Sequence, residues 1–107
     1  GIINNYSQAA TRRVDWNITI SYGDDVEVAR RVLIEMMSSD KRVKQDPAPV
    51  VYLTSLGNSA VNISARAWVD NADYWGVYFD LNERIYNELP KHGLHFPFPQ
   101  LSVHVEK

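Results

Sequence analysis

The most regular pattern in the chain runs from Val61 to Val69, where apolar and mostly polar residues alternate without a break. A period of two is that of a β-strand, so the alternation predicts a strand with one buried face. The predicted buried face carries Val61, Ile63, Ala65, Ala67 and Val69. Because Ala65 and Ala67 are small, they leave room for a helix to lie close over the sheet.

Two further strands are predicted on either side of this one in sequence. Residues 13–21 alternate in the same way, with Val14, Trp16, Ile18 and Ile20 on the buried face. Residues 50–56 are rich in strand formers but alternate less well, which is typical of an edge strand. The segment Gly57-Asn58-Ser59 then connects strand 50–56 to strand 61–69 as a hairpin with a short loop.

Two stretches have the helical period. The first covers about residues 25–38, and Asp24 with Glu27 has the spacing of a capping box at its start. The second covers residues 74–89, with cap candidates at 70–73 and with Pro90 and Gly93 to end it. The predicted core stripes are Val26, Ala29, Leu33, Met36 and Met37 in the first helix, and Tyr74, Val77 or Tyr78, Leu81, Ile85 and Leu89 in the second.

The order β-α-β-β-α, followed by a strand at residues 101–105 after a proline-rich bend, predicts an α+β fold of the ferredoxin-like, split β-α-β kind. In that fold strands 13–21 and 61–69 lie side by side in the middle of the sheet, and both helices cover one face. The 107 residues, 45% of them hydrophobic, suffice for one compact domain.

The composition of the chain excludes or disfavours several classes of function. A net charge of −2 argues against a nucleic-acid partner. The chain has no cysteine, which excludes disulfides and thiolate metal ligands, and we expect no cofactor. The three histidines, His92, His95 and His104, have a loose spacing that favours surface residues over a metal site. No apolar run approaches the ~20 residues of a membrane span.

Two other functions fit the topology but not the residues. Acylphosphatase-like domains hold a phosphoryl group with an arginine and an asparagine, and Arg66 with Asn62 is the tempting pair. Both lie on one strand, however, and the acidic loop after strand 13–21 would repel phosphate. Base stacking on a sheet needs more than Trp68 alone. We therefore predict that the chain is not an enzyme and does not bind RNA.

Several aromatic residues exceed the needs of one small core. Trp75, Phe79 and Tyr86 form a second stripe on the last helix, and Trp68 points away from the helices. They are either ordinary partly exposed aromatics or a surface that a neighbouring chain covers.

A series of motifs in order along nearly the whole chain resembles the cytoplasmic domain of the small-conductance mechanosensitive channel (MscS) family. The resemblance implies a heptameric channel that opens under hypoosmotic membrane tension and whose transmembrane helices precede this segment. The chain would then lie on the cytoplasmic side of the inner membrane, with copies of itself and permeating ions as partners. The motifs are Asn5-Tyr6-Ser7, Thr11-Arg12-Arg13-Val14, Asp46-Pro47-Ala48-Pro49, Val61-Asn62, Arg66-Ala67-Trp68-Val69, Asp73-Tyr74-Trp75 and Phe96-Pro97-Phe98-Pro99-Gln100.

The resemblance also divides the chain. Residues 1–10 would end a preceding β domain, residues 11–95 would form the α/β domain, and residues 96–107 would form a proline-rich bend and a strand that joins a barrel with six copies of itself. This chain departs from the family at Pro90, which shortens the last helix, and at the bulky Leu94-His95-Phe96.

The resulting site hypotheses concern assembly and ion passage. The subunit interface is predicted to include Trp68, Trp75, Phe79, Tyr86, Leu101, Val103 and Val105. The ion route is predicted to include Arg12, Arg13, His104 and Glu106. Arg12 and Arg13 also fit solvated charges at a domain junction, since neither has a carboxylate at a telling spacing. The alternative function is a stand-alone ferredoxin-like ligand-binding or regulatory module.

Overall fold

The computed structural model describes residues 10–97, and within them all five predicted elements are present. They are β1 (Thr11–Ser21), α1 (Val26–Ser38), β2 (Val50–Leu56), β3 (Ala60–Asp70) and α2 (Tyr74–Glu88), with short 3₁₀ turns at Asn71–Asp73 and Leu89–His92 on either side of α2. The order β-α-β-β-α confirms the predicted fold class. The strand predicted at 101–105, and with it Leu101, Val103, His104, Val105 and Glu106, lies outside the described residues.

The three strands form one antiparallel sheet in the order β1-β3-β2. β1 pairs with β3 along its full length, from Thr11 opposite Asp70 to Ser21 opposite Ala60. β2 pairs with the other side of β3 and carries a bulge between Leu53 and Ser55. The expectation that β1 and β3 lie side by side is confirmed. β3 lies in the middle, between β1 and β2, as expected. For β1 the same expectation depends on the strand predicted at 101–105, which lies outside the described residues.

One face of the sheet and both helices enclose the core. Every residue predicted on the inner faces of β1 and β3 is buried, and α1 and α2 complete the cluster through residues at helical spacing. Trp16 lies opposite Ala65 in the register, so the largest inward side chain of β1 faces one of the smallest of β3. Val32 on α1 is buried without having been predicted, while Val26, Tyr74 and Tyr78 are only partly buried against the core.

The helix starts differ from the capping predictions. Asp25, not Asp24, is the N-cap of α1, and its side chain accepts hydrogen bonds from the backbone N–H of Glu27 and Val28. Asp24 makes a different contact, described below. At α2 no side chain of the predicted cap segment, residues 70–73, makes a capping bond, and a 3₁₀ turn leads into the helix instead.

The end of α2 follows the prediction. The α-helix stops at Glu88, and Pro90 lies at the start of the following 3₁₀ turn, where its missing N–H costs no helical hydrogen bond. Gly93 then has φ +80°. That left-handed conformation is one that glycine adopts without steric cost, so Gly93 closes the turn. Leu94 returns to the core directly after it.

Candidate subunit interface

Three aromatic side chains project from α2 on the side away from the core. Trp75 is 58% exposed, Phe79 59% and Tyr86 71%. Their spacing of four and seven residues places them on one stripe of the helix. We call this stripe the aromatic ridge.

Two rings of the ridge rest on aromatic residues that reach down to the core. Trp75 and Phe79 are stacked, with ring centroids 5.6 Å apart. Trp75 meets the edge of Tyr78 at 5.7 Å, and Tyr78 lies parallel to the buried Trp16 at 6.4 Å. The Trp16 Nε1–H donates to the Tyr78 carbonyl oxygen at 3.1 Å. The exposed rings are therefore supported from below and present a preorganised surface.

Arg12 contacts the same aromatic cluster through Tyr74. Its guanidinium lies 3.9 Å from the centroid of the Tyr74 ring, within the range of a cation–π contact, and it donates to Asn71 Oδ1 at 3.3 Å. Tyr74 in turn meets Trp75 edge-on at 4.9 Å. The cation of Arg12 thus borders the aromatic ridge.

Arg13 points to the other face of the sheet and has a carboxylate partner. Its Nε and Nη2 donate to the two oxygens of Asp15 at 2.8 and 3.1 Å. The expectation that neither arginine has a carboxylate at a telling spacing is wrong for Arg13. Residues two apart on a strand share a face, and the period-two pattern of β1 contained this signal.

Trp68 lies apart from the ridge. It stands opposite Arg13 in the register, on the face of the sheet that the helices do not cover, and it is partly buried. The four aromatic residues predicted at an interface therefore form two separate surfaces. Trp75, Phe79 and Tyr86 share one stripe of α2, where Trp75 and Phe79 are in contact, whereas Trp68 lies on the outer face of β3.

The outer face also holds the arginine and asparagine considered for phosphate binding. Arg66 Nε donates to Ser64 Oγ at 3.1 Å, and its guanidinium lies 5.3 Å from the Tyr52 ring. Asn62 Nδ2 donates to Ser55 Oγ at 2.9 Å. Both side chains are thus engaged with neighbouring side chains of the sheet.

An ion-pair network joins α2 to the segment that follows α1. Arg42 donates to both oxygens of Asp40, at 2.9 and 2.7 Å, and its Nη2 also reaches Asp80 at 2.9 Å. The hydrogen bonds from Arg42 outweigh the opposing effect of burial and hold the pKa of Asp40 below its usual range. The same contacts with Asp40 and Asp80 raise the pKa of Arg42, which stays charged.

Gly76 leaves room for this network. A Cβ at that position would lie 3.1 Å from Arg42 Nη1, closer than most side-chain contacts. A glycine inside a helix costs about 1 kcal/mol relative to alanine, so its presence in α2 was the sequence signal for a close neighbour.

Asp24 fastens the C-terminal segment to the end of β1. Its side chain, 8% exposed, accepts from the backbone N–H of His95 at 2.7 Å and lies 2.9 Å from the Nδ1 of the same residue. The Ser21 N–H donates to the His95 carbonyl oxygen at 2.9 Å. His95, weighed as a metal ligand, thus holds the segment after α2 against Asp24 and Ser21.

Two negative observations concern the described part of the chain. Residues 10–97 contain no group of three histidine or acidic side chains placed to hold a metal ion. No helix there combines the length and the apolar content needed to cross a membrane.

Comparison with known proteins identifies the domain. The family model described as "Mechanosensitive ion channel MscS, C-terminal" matches residues 14–96. The "Small-conductance mechanosensitive channel" of Edwardsiella ictaluri is 36% identical over 105 residues, which are 98% of this chain and 37% of that protein. An uncharacterized MscS family protein of Buchnera aphidicola is 37% identical over 107 residues, 100% of this chain and 35% of that protein. The chain therefore spans little more than a third of these relatives.

Solved structures agree on the fold. The crystal structure of Helicobacter pylori MscS in the closed state superposes with a TM-score of 0.79 at 25% identity, over 92% of this chain and 40% of that one. Arabidopsis thaliana MSL1 superposes with a TM-score of 0.71 at 18% identity, over 87% of this chain and 36% of that one, which is a likeness of fold alone. With the family model matching most of its length, this chain belongs to the MscS family of mechanosensitive channels and carries the family's C-terminal domain.

Proposed function

We propose that this chain is the α/β part of the cytoplasmic cage of a mechanosensitive channel. In this role it helps the subunits to assemble, as a heptamer, and shapes the route by which ions and osmolytes reach the pore. The pore belongs to transmembrane segments outside these 107 residues and opens when hypoosmotic shock raises membrane tension. The chain then works without catalysis, on the cytoplasmic side of the inner membrane, and its partners are copies of itself and the permeating ions.

The aromatic ridge is the observation that carries this proposal. Trp75 and Phe79 are each more than half exposed, and their rings are already held in place by Tyr74 and Tyr78. Large rigid aromatic side chains dominate protein interfaces because they bury much apolar area and lose little conformational entropy. A domain that only had to fold would gain little from exposing them to water.

The remaining interface and ion-route residues extend the proposal. Leu101, Val103 and Val105 would pack in the barrel, where His104 and Glu106 would recur as rings on the other face of the strand; all five lie outside the described residues. Arg12 borders the ridge and would therefore lie where two copies meet. Arg13 is neutralised by Asp15 and faces the other side of the sheet with Trp68.

A chimeric channel tests the proposal. The matching segment of the Edwardsiella ictaluri channel is replaced by this chain, and the chimera is expressed in a bacterium that lacks mechanosensitive channels. We expect the chimera to protect cells on hypoosmotic dilution and to give tension-activated currents in membrane patches. A chimera present in the membrane at the level of the recipient channel, but without current or protection, would contradict the proposal.

Matched variants of the chimera test the part played by the ridge. Replacing Trp75 and Phe79 by serine should reduce the amount of assembled channel recovered from the membrane. Glu35→Ser, an exposed position on α1, should leave it unchanged. Equal recovery of both variants would remove the ridge from the interface. The stand-alone module remains the alternative, and a parent gene whose start codon lies close to Gly1 would favour it.

A further inference from the structure

An open groove lies where the chain leaves α2 and returns to the end of β1. Its volume is about 660 Å³, and no acidic residue, lysine or arginine in the described part of the chain lines it. This composition favours a neutral, apolar occupant. We call it the proline groove. Most of its wall consists of Tyr86, Pro90, Leu94, Phe96 and Pro97, and Ser21, Ser59 and His95 form the polar part.

The described chain ends in the wall of this groove. The backbone N–H of His95 donates to Asp24 at 2.7 Å, and the His95 carbonyl oxygen accepts from the Ser21 N–H at 2.9 Å. These two bonds fix the backbone two residues before Pro97, which is itself part of the wall. The next residue, Phe98, lies outside the described residues, but its Cα is only about 3.8 Å from that of Pro97. The Phe98 side chain therefore begins at the rim of the proline groove.

The sequence around Phe98 restricts the backbone. Phe96 and Phe98 each precede a proline, which disfavours helical geometry and confines both residues to extended conformations. The rings of Pro97 and Pro99 fix φ at about −65°. Little conformational freedom is therefore lost when this stretch lies on the domain. Phe98 is also the only aromatic residue among residues 98–107.

We infer that the Phe98 ring docks in the proline groove, against the rings of Tyr86 and Pro90. Docking removes a large apolar side chain from water and places it beside another aromatic ring. It also gives Tyr86, which is 71% exposed, a partner within its own chain. The docking needs no second copy, so it holds whatever the function of the domain.

Docking has a consequence for the strand predicted at 101–105. With the Phe98 ring held on the domain, only Pro99 and Gln100 separate the docked residue from that strand. The point at which the strand leaves the domain is then fixed. This consequence, unlike the docking itself, rests on the proposed function.

Nuclear Overhauser contacts in the 107-residue chain test the docking without any substitution. We expect contacts from the ring protons of Phe98 to side-chain protons of Tyr86 and Pro90, at a concentration at which sedimentation shows a monomer. Contacts of Phe98 with its sequence neighbours alone would overturn the inference. Isotope-filtered spectra of mixed labelled and unlabelled chains separate contacts within a chain from contacts between chains, and contacts found only between chains would overturn it as well.

A matched pair of variants gives a second test. Phe98→Ala should shift the backbone amide signals of Tyr86 and Ser59, which line the groove far from residue 98 in sequence. Leu101→Ala is the control, because it removes the next apolar side chain outside the proline-rich stretch and should leave both signals in place. Equal shifts from the two variants, or no shift from Phe98→Ala, would contradict the docking.

The docking and the proposed function fail separately. If the chimeric channel conducts while Phe98 makes no contact with Tyr86 or Pro90, the proposed function stands and the docking is wrong. If the contacts are present while the chimera carries no current, the docking stands and the proposed function is contradicted.

Discussion

Two faces of α2 are apolar, but one is buried in the core and the other is exposed. Val77, Leu81 and Ile85 are buried against the sheet, while Trp75 and Phe79 remain more than half exposed. The buried stripe uses aliphatic side chains that fill space between helix and sheet. The exposed stripe uses large rings that are stacked on one another and supported from beneath.

The helical period therefore identifies the residues of the core. Exposed apolar side chains beyond those residues indicate a role other than folding. The buried stripe alone is enough for α2 to pack on the sheet, because a helix on a sheet needs only one apolar face. The second stripe adds aromatic area that the monomer leaves in water. Contact with another copy is the use that we propose for that area.

Truncating one residue on each face should give the largest contrast. Leu81→Ala removes a fully buried side chain and should lower the free energy of unfolding by about 2–5 kcal/mol. Phe79→Ala removes a larger but exposed side chain and should cost less than about 1 kcal/mol. Urea unfolding of the 107-residue chain measures both. Equal losses would mean that the ridge belongs to the domain's own core.

Assembly should show the reverse order. Trp75→Ala removes the ring that stacks on Phe79 and meets the edges of Tyr74 and Tyr78, and it should weaken association about 30-fold, or ~2 kcal/mol, as at interface hot spots. Tyr52→Ala is the matched control, because Tyr52 is also about half exposed but lies on the outer face of β2. Sedimentation over a range of concentrations measures both variants. An unchanged association constant for Trp75→Ala would remove this ring from the interface.

The two faces also differ in how far the sequence predicted them. Periodicity placed every inward residue of β1 and β3 correctly, because burial repeats every second residue along a strand. The ridge was recognised as a stripe, but its support by Tyr78 and Trp16 was not, since these rings meet across 62 positions in sequence. The period of a pattern shows which face of an element is buried, but it does not show which residues from distant parts of the sequence lie close together in space.

Long-range polar contacts were missed for the same reason. Asp24 had the spacing of a helix cap, yet it binds His95 across 71 positions, and Asp25 takes the cap. A short acidic side chain beside a helix start satisfies either role, so local spacing alone does not choose between them. Arg42 and Asp80 likewise meet only because α1 and α2 lie side by side.

The Asp24 contact provides a smaller, pH-dependent test outside both faces. Burial opposes ionisation of Asp24, but hydrogen bonds from the ring and backbone of His95 outweigh it and lower the pKa of its carboxyl group. A carboxyl group with a lowered pKa in the folded state stabilises the fold above its ordinary value of about 4, and this contribution is lost as pH falls through the folded value.

Asp24→Asn should therefore cost about 1 kcal/mol near neutral pH, and the difference from the parent chain should shrink toward pH 3. Urea unfolding at several pH values measures the two curves. Asp15→Asn is the control, because Asp15 takes part in an ion pair that is open to solvent and should change stability by less than about 0.5 kcal/mol. Parallel curves for Asp24→Asn and the parent chain would show that the His95 contact does not stabilise the ionised carboxylate.

The smallest effect is expected at the far end of the ridge. Tyr86 lies two turns beyond Phe79 and is 71% exposed, and it contacts none of the stacked rings in residues 10–97. Tyr86→Ala should therefore weaken association by less than about 0.5 kcal/mol.

A double-mutant cycle tests this expectation further, because the effects of residues that share no partner are additive, whereas the effects of stacked rings are coupled. The cycle of Trp75→Ala with Tyr86→Ala should show additivity, and the cycle of Trp75→Ala with Phe79→Ala should not. Coupling between Trp75 and Tyr86 as large as that between Trp75 and Phe79 would mean that a partner copy grips the whole stripe as one surface.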